Sequence, residues 1–229
     1  MVKNHLKRLN APRTWKIKRK GIKFIVKPNP GPHSMSEGVP LTVIIRDILG
    51  YAKTTREVKR ILSENNVLID GIRRKDHRFV TGFMDTITFT ETKEYFRVVI
   101  NKKGNIILIK IDEKDASIKP CKIIGKTKIK GKTQLNLFDG KNILVEKEEY
   151  KTGDSLVLAV PKQEIKSYLK LDKGSLVYLT SGSHIGEIGT IEGIMGNKIK
   201  YKTPKGDVFE TLKKYAFVIG KDKSIIKLE

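Results

Sequence analysis

The chain has 229 residues, with 47 Lys+Arg against 25 Asp+Glu and a formal net charge of +22, so polyanions, nucleic acid first among them, are its expected partners. A single cysteine, Cys121, excludes internal disulfides and zinc sites built on a cysteine pair; His5, His33, His77 and His184 are too scattered for a local ligand spacing, so neither metal nor cofactor is expected. No apolar run approaches the roughly 18 residues that span a bilayer, and the N-terminus lacks the apolar stretch of a signal peptide, which implies a cytosolic protein with no membrane contact.

Residues 1–38 read as a basic arm. From Met1 to Ser36 there are ten Lys or Arg residues and no acidic one, and Pro28-Asn29-Pro30-Gly31-Pro32 rules out a helix. Such a segment is expected to be extended and to order only against something negative, with Lys7, Arg8, Arg13, Lys16, Lys18, Arg19 and Lys20 lining phosphates. A merely solubilising tail is the alternative. Against it, Trp15, Ile17, Ile22, Phe24 and Ile25 interleave with the charges. His5 and Trp15 are candidates for stacking on a base, and Trp15 equally suits docking on the body of the protein.

Residues 39–92 read as a compact unit. Pro40 suits a first helical turn, and Leu41, Ile44, Ile45, Ile48 and Leu49 recur at helical spacing before Gly50, which predicts one amphipathic helix with a buried face. Thr54-Thr55-Arg56-Glu57 has capping-box spacing and opens a second helix, in which Thr54 and Glu57 satisfy orphan N–H groups reciprocally. On that helix Val58, Ile61 and Leu62 share a stripe, while Arg56, Lys59 and Arg60 point to nearly the opposite side. Asp70-Gly71, between Val67-Leu68-Ile69 and Ile72-Arg73-Arg74, signals a tight hairpin turn that sets Arg73, Arg74, Lys75, His77 and Arg78 just beyond the basic helix. Asp85 to Phe89 reads as a closing strand.

Residues 93–172 read as a compact β domain of short strands, Phe96 to Ile100, Ile106 to Ile111, Cys121 to Ile124, Gln134 to Phe138, Ile143 to Val145 and Ser155 to Val160, divided by turns at Lys103-Gly104, Asp139-Gly140 and Gly153-Asp154. It carries no chemical motif and is a scaffold by default. Residues 173–229 return to short strands, Leu176 to Leu179, Ile199 to Tyr201, Val208 to Leu212 and Ala216 to Ile219. The glycine-rich stretch from Ser181 to Ile191 suits a small barrel with a bent strand, where backbone approaches a partner closely. Ser183, His184 and Gly186 are its candidate RNA contacts, against the plainer reading of a loop that only closes the barrel.

Catalytic signatures are missing. Gly182, Gly186 and Gly189 resemble a glycine fingerprint but precede no predicted helix, and there is no Gly-x-Ser-x-Gly. The pair Glu148-Glu149, between Lys147 and Lys151, reads as a solvated charged turn, and no small-molecule substrate is expected.

The helices and Asp-Gly hairpin between Pro40 and Phe89 resemble the S-four RNA-binding domain, an αL-type fold, and Tyr178 to Ile191 resembles a KOW motif of SH3-like barrels. In this order, behind His5-Leu6-Lys7-Arg8-Leu9-Asn10-Ala11-Pro12-Arg13-Thr14-Trp15, and with Gly31-Pro32-His33, Gly82-Phe83-Met84-Asp85 and Phe217-Val218-Ile219-Gly220, they resemble the archaeal and eukaryotic small-subunit ribosomal proteins of the S-four-e family. The resemblance implies an α+β, multidomain chain: basic extended arm, S-four domain, central β domain and C-terminal KOW barrel. It also implies a non-enzymatic role in holding small-subunit ribosomal RNA beside neighbouring small-subunit proteins in the cytoplasm, with no stable homo-oligomer indicated. Eukaryotic members continue well past the segment equivalent to Phe217 to Gly220, so an end at Glu229 suggests an archaeal source. The expected RNA contacts are the arm residues above, Thr54, Thr55, Arg56, Lys59, Arg60, Arg73, Arg74, Lys75, His77 and Arg78, and the Ser183–Gly186 loop. Two rivals stay open: an RNA-modifying enzyme that uses the S-four module for targeting, and a KOW-bearing transcription or translation factor that binds transiently.

Overall fold

A computed structural model describes residues 4–129, 131–146, 149–221 and 223–227. Residues 1–3, Lys147 and Glu148 of the charged turn, and Glu229 lie outside the described residues. The chain divides into two compact units: one gathers residues up to Val99 with Asn105–Ala116, the other Ile100–Gly104 with the residues from Ser117 onward.

In the first unit the basic N-terminal segment departs from the extended arm expected of it. Leu6–Lys7 pairs antiparallel with Phe24–Ile25, one tight helical turn follows at Arg8–Asn10, and Ala11, Trp15, Ile25 and Pro28 are buried. Trp15 is 2% exposed, and its indole Nε1 donates to the Gly38 carbonyl at 2.8 Å. Of the interleaved apolar residues, Trp15 and Ile25 thus enter a core that local sequence does not reveal, while Ile22 and Phe24 stay exposed, and burying the first two outweighs the self-repulsion of the charges.

The helix predicted over 41–49 is also different. Leu41–Val43 is α-helical and passes into a wider turn at Ile44–Ile48, where Leu49 N–H donates to the Ile44 carbonyl at 2.9 Å. Leu41, Thr42, Val43, Ile44 and Ile45 are all buried, because this segment runs through the core and is covered on every side. The Thr55–Glu64 helix follows expectation: Val58 and Leu62 are buried, and Arg56, Lys59 and Arg60 are exposed. At the Asp70-Gly71 turn both residues have positive φ, and Ile69 pairs with Ile72. A five-stranded sheet in the order Ile72–Arg73, Val67–Ile69, Thr86–Phe89, Glu94–Ile100 and Ile106–Lys110 backs the helices, and Gly38–Pro40 pairs separately with Val80–Gly82.

The second unit holds two five-stranded antiparallel sheets. One runs Asn142–Val145, Lys132–Leu137, Ile118–Ile129, Ser155–Ala159, Glu164–Leu169; the other runs Val208–Leu212, Lys198–Lys202, Ile188–Met195, Leu176–Leu179, Ala216–Gly220. Cys121, Ile123, Leu135, Leu137, Leu156 and Leu158 form one core. A second core draws Val157, Leu169 and Leu171 together with Val177, Ile191, Ile199, Ala216 and Val218, so both sheets share it.

Candidate nucleic-acid interface

One convergence of cations is built on the Thr55–Glu64 helix. Thr54 caps it by accepting from Glu57 N–H at 3.2 Å, and the return bond from the Glu57 carboxylate takes the Lys53 N–H at 2.8 Å, one residue earlier than a strict capping box. These bonds hold the Glu57 carboxyl below its ordinary pKa, the Lys53 backbone bond foremost. With the helix fixed, Arg56 and Lys59 stand in solvent, and Arg60 is exposed but paired with Glu64 at 2.8 Å.

The segment after the hairpin comes to the same helix. Arg73 donates to the Ser63 carbonyl at 3.0 Å, in the last helical turn. His77 has its pKa lowered, first by burial and then by the charge of Lys59, with Arg78 adding to it and Asp76 opposing. Helix and loop therefore share one electrostatic surface, with Lys75 exposed beside it. Not every expected contact is free for a ligand: Arg74 lies over the Phe79 ring at 4.4 Å, and Arg78 Nε donates to the Lys27 carbonyl at 2.9 Å, tying down the N-terminal segment. Thr55 Oγ1 accepts from Arg46 at 3.2 Å.

Arg46 is a residue that sequence reasoning misses. Its guanidinium also meets Asp47 at 2.7 Å, and the other oxygen of that carboxylate pairs with Arg8 at 2.7 Å. Arg8, expected on RNA, is thus 5% exposed and spent on an internal ion pair. Trp15 is likewise removed as a stacking group, because its indole is core. Arg19 donates to the carbonyls of Ala11 and Pro12, each at 2.8 Å, and shapes the N-terminal loop. Lys7, Arg13, Lys16, Lys18 and Lys20 remain exposed, and His5 rests edge-on against Phe24 at 5.5 Å between centroids.

In the second unit Ser183 is exposed, and the His184 imidazole is held by the Glu187 carboxylate at 3.1 Å and by the Phe209 ring at 4.2 Å. Gly186 does serve a close backbone approach, but the neighbour is the chain itself. A Cβ there would fall 2.4 Å from the Asn101 carbonyl carbon, and φ is +77°. Two Gly-Lys-Thr triplets do occur, Gly125-Lys126-Thr127 and Gly131-Lys132-Thr133, but they stand in the hairpin of Ile118–Ile129 and Lys132–Leu137, not at a strand-to-helix turn, and so form no phosphate loop. Among the described residues no group of three His, Cys, Asp or Glu side chains is placed to hold a metal ion, and no helix is long and apolar enough to cross a membrane.

The model of the ribosomal family S4e matches residues 92–165, and that of the RS4NT domain matches residues 2–36. The small ribosomal subunit protein eS4 of Methanosphaera stadtmanae is 45% identical over 233 residues, covering 99% of this chain and 96% of its own. That of Methanocella arvoryzae is 45% identical over 234 residues, covering 99% and 98%. The chain belongs to the S4e family of ribosomal proteins. A crystal structure of the 30S ribosomal protein S4e from Thermoplasma acidophilum agrees at 33% identity with a TM-score of 0.71, over 84% of this chain and 99% of that one. The S4e relatives named here are archaeal, as the sequence suggests. The S4e model falls mainly on the central strands, where no chemical motif is visible. The RS4NT match covers the basic leader of this S4e protein, in which Trp15 is buried.

Proposed function

We propose that this S4e protein binds and stabilises folded small-subunit ribosomal RNA through cationic surfaces, as a structural and non-catalytic component. Membership of the family puts it in the small ribosomal subunit, in the cytoplasm, in the service of translation. The observation that carries the RNA reading is the meeting of two basic elements on one face: exposed Arg56 and Lys59 on the helix, and Lys75 and His77 from the loop whose titration Lys59 perturbs. Phosphates neutralised on such a face release counterions, while A-form geometry and 2′-hydroxyls supply the selectivity.

We further read residues 1–38 as an RNA-contacting leader, 39–92 as the S-four-type module, 93–172 as a central β module and 173–229 as a KOW-type barrel. Supporting the last is its strand order, in which Ala216–Gly220 returns to pair with Leu176–Leu179 as in small SH3-like barrels. The test is to reverse Arg56, Lys59 and Lys75 to Glu and titrate ribosomal RNA at several salt concentrations. Weaker binding with a shallower salt dependence, by about one unit of log–log slope per lost phosphate contact, is the expected result. Unchanged affinity and slope refute the assignment, and failure to co-sediment with native small subunits refutes the role.

A further inference from the structure

Among the large apolar side chains that the N-terminal hairpin leaves in water are Leu9 at 71% and Ile22 at 68% exposure, although the same segment buries Ala11, Trp15 and Ile25. Both line one cavity of about 450 Å³ with the cations Lys7, Lys20 and Lys23, the internally paired Arg8 and Arg19 in its wall and Gly21 at its turn. No carboxylate lines it. The cavity is braced: Arg8 N–H donates to the Lys23 carbonyl at 2.9 Å, and Arg19 clamps the carbonyls of Ala11 and Pro12. At Gly21, with φ of +110°, the position of a Cβ has no atom within 4 Å, so the turn is open to a visitor. Arg8 Nε, buried at the inner wall, has no hydrogen-bond partner among the described residues.

An occupant must be anionic at one end and apolar at the other. Inorganic phosphate would satisfy the ammonium groups and leave Leu9 and Ile22 wet; an acidic peptide would do the same with its short carboxylates. A nucleotide meets both demands, its phosphate among the lysines and the face of its base across the aliphatic side chains. Within an A-form helix the bases are stacked out of reach, so the nucleotide must be one already turned out of its helix.

We infer that the cavity between Leu9 and Ile22 receives a single extruded nucleotide of the bound RNA. This rests on the RNA-binding reading above and adds to it a base-sized subsite. The test uses the full chain with two synthetic RNAs, a fully paired hairpin and the same hairpin carrying one unpaired adenosine. The wild-type chain should prefer the bulged RNA by about tenfold. A double variant, Leu9→Ser with Ile22→Ser, should bind both alike, keep the salt dependence of the paired RNA, and melt as the wild type does, because both side chains stand in solvent. If the wild-type chain binds both RNAs equally and with steep salt dependence, the subsite is rejected and general RNA binding stands. A preference that survives in the double variant also rejects it. Binding of neither RNA overturns the underlying reading. An oligo-aspartate peptide bound more tightly than the bulged RNA, and lost in the double variant, would assign the cavity to a protein segment instead.

Discussion

His33 Nε2 lies 3.0 Å from a carboxylate oxygen of Asp85, and both side chains are buried. The same oxygen accepts the Gly82 N–H at 2.8 Å, and a Cβ on Gly82 would fall 2.3 Å from the His33 ring. Two sequence stretches far apart, Gly31-Pro32-His33 and Gly82-Phe83-Met84-Asp85, are therefore one locked contact. Gly82→Ala should cost about 2–3 kcal/mol, since a ring and not a flexible chain end must give way. His33→Ala should cost about 3 kcal/mol by leaving a cavity beside a buried carboxylate. Urea unfolding at fixed pH measures both, and wild-type midpoints would refute the contact's importance.

Trp15 is the only tryptophan, which makes its fluorescence a direct probe. Emission should be blue-shifted in the native protein, unquenched by saturating RNA, and red-shifted on unfolding. Trp15→Ala should destabilise the first unit by about 3–5 kcal/mol. Deleting residues 1–36 should do so as well, because the leader supplies core. Strong quenching by RNA would restore a stacking role to the indole.

His77 resists protonation in the folded chain. Its folded pKa lies below the ordinary value of about 6.5, so between the two the unfolded chain binds more protons and stability falls as pH drops through that window. Lys59→Met should raise the His77 pKa and narrow the window. Bound phosphates should raise it too, so RNA affinity should increase as pH falls below about 6.5. NMR titration of the His77 ring follows each step, and a pKa unmoved by Lys59→Met contradicts the shared surface.

Lys122 donates its ammonium to the carbonyls of Lys214 at 2.8 Å and Ala216 at 2.6 Å, and more weakly to that of Lys213. Lys122→Met keeps the aliphatic stem and removes the donor, so it should cost about 1–3 kcal/mol from the second unit. Thermal unfolding of the variant checks this; an unshifted transition would mean that water replaces the ammonium at no cost.

Gly186→Ala should be severe. It combines a positive φ with backbone at 2.4 Å, where nothing flexible can move aside. We expect a loss of about 3 kcal/mol or more, while Ser183→Ala, in an exposed position, should leave stability unchanged. Equal melting temperatures for the two variants would contradict the packing described.

What the sequence discloses here is local chemistry. The Thr54 cap, the apolar stripe of Val58 and Leu62 and the Asp70-Gly71 turn depend on neighbours a few positions away, and each appears in the structure as its spacing requires. Trp15 depends on Gly38 and Ile106, partners no periodicity can reveal, so its two roles stay undecided until the fold is known. The cations divide in the same manner. Helical spacing tells that Arg56 and Lys59 point outward, but only tertiary structure tells that Arg8 belongs to Asp47 and Arg78 to the Lys27 carbonyl.

The apolar centre that joins Val157, Leu169 and Leu171 to Ala216 and Val218 also dictates a timetable. While the polypeptide is being made, the earlier sheet leaves the ribosome with part of its greasy inner face uncovered. It must wait for the strand at Ala216–Gly220 to arrive before that face is dry. A translation arrest just after Leu171 leaves Val157, Leu169 and Leu171 without the apolar partners that follow them, so the newborn chain is safest when its far end is delivered quickly.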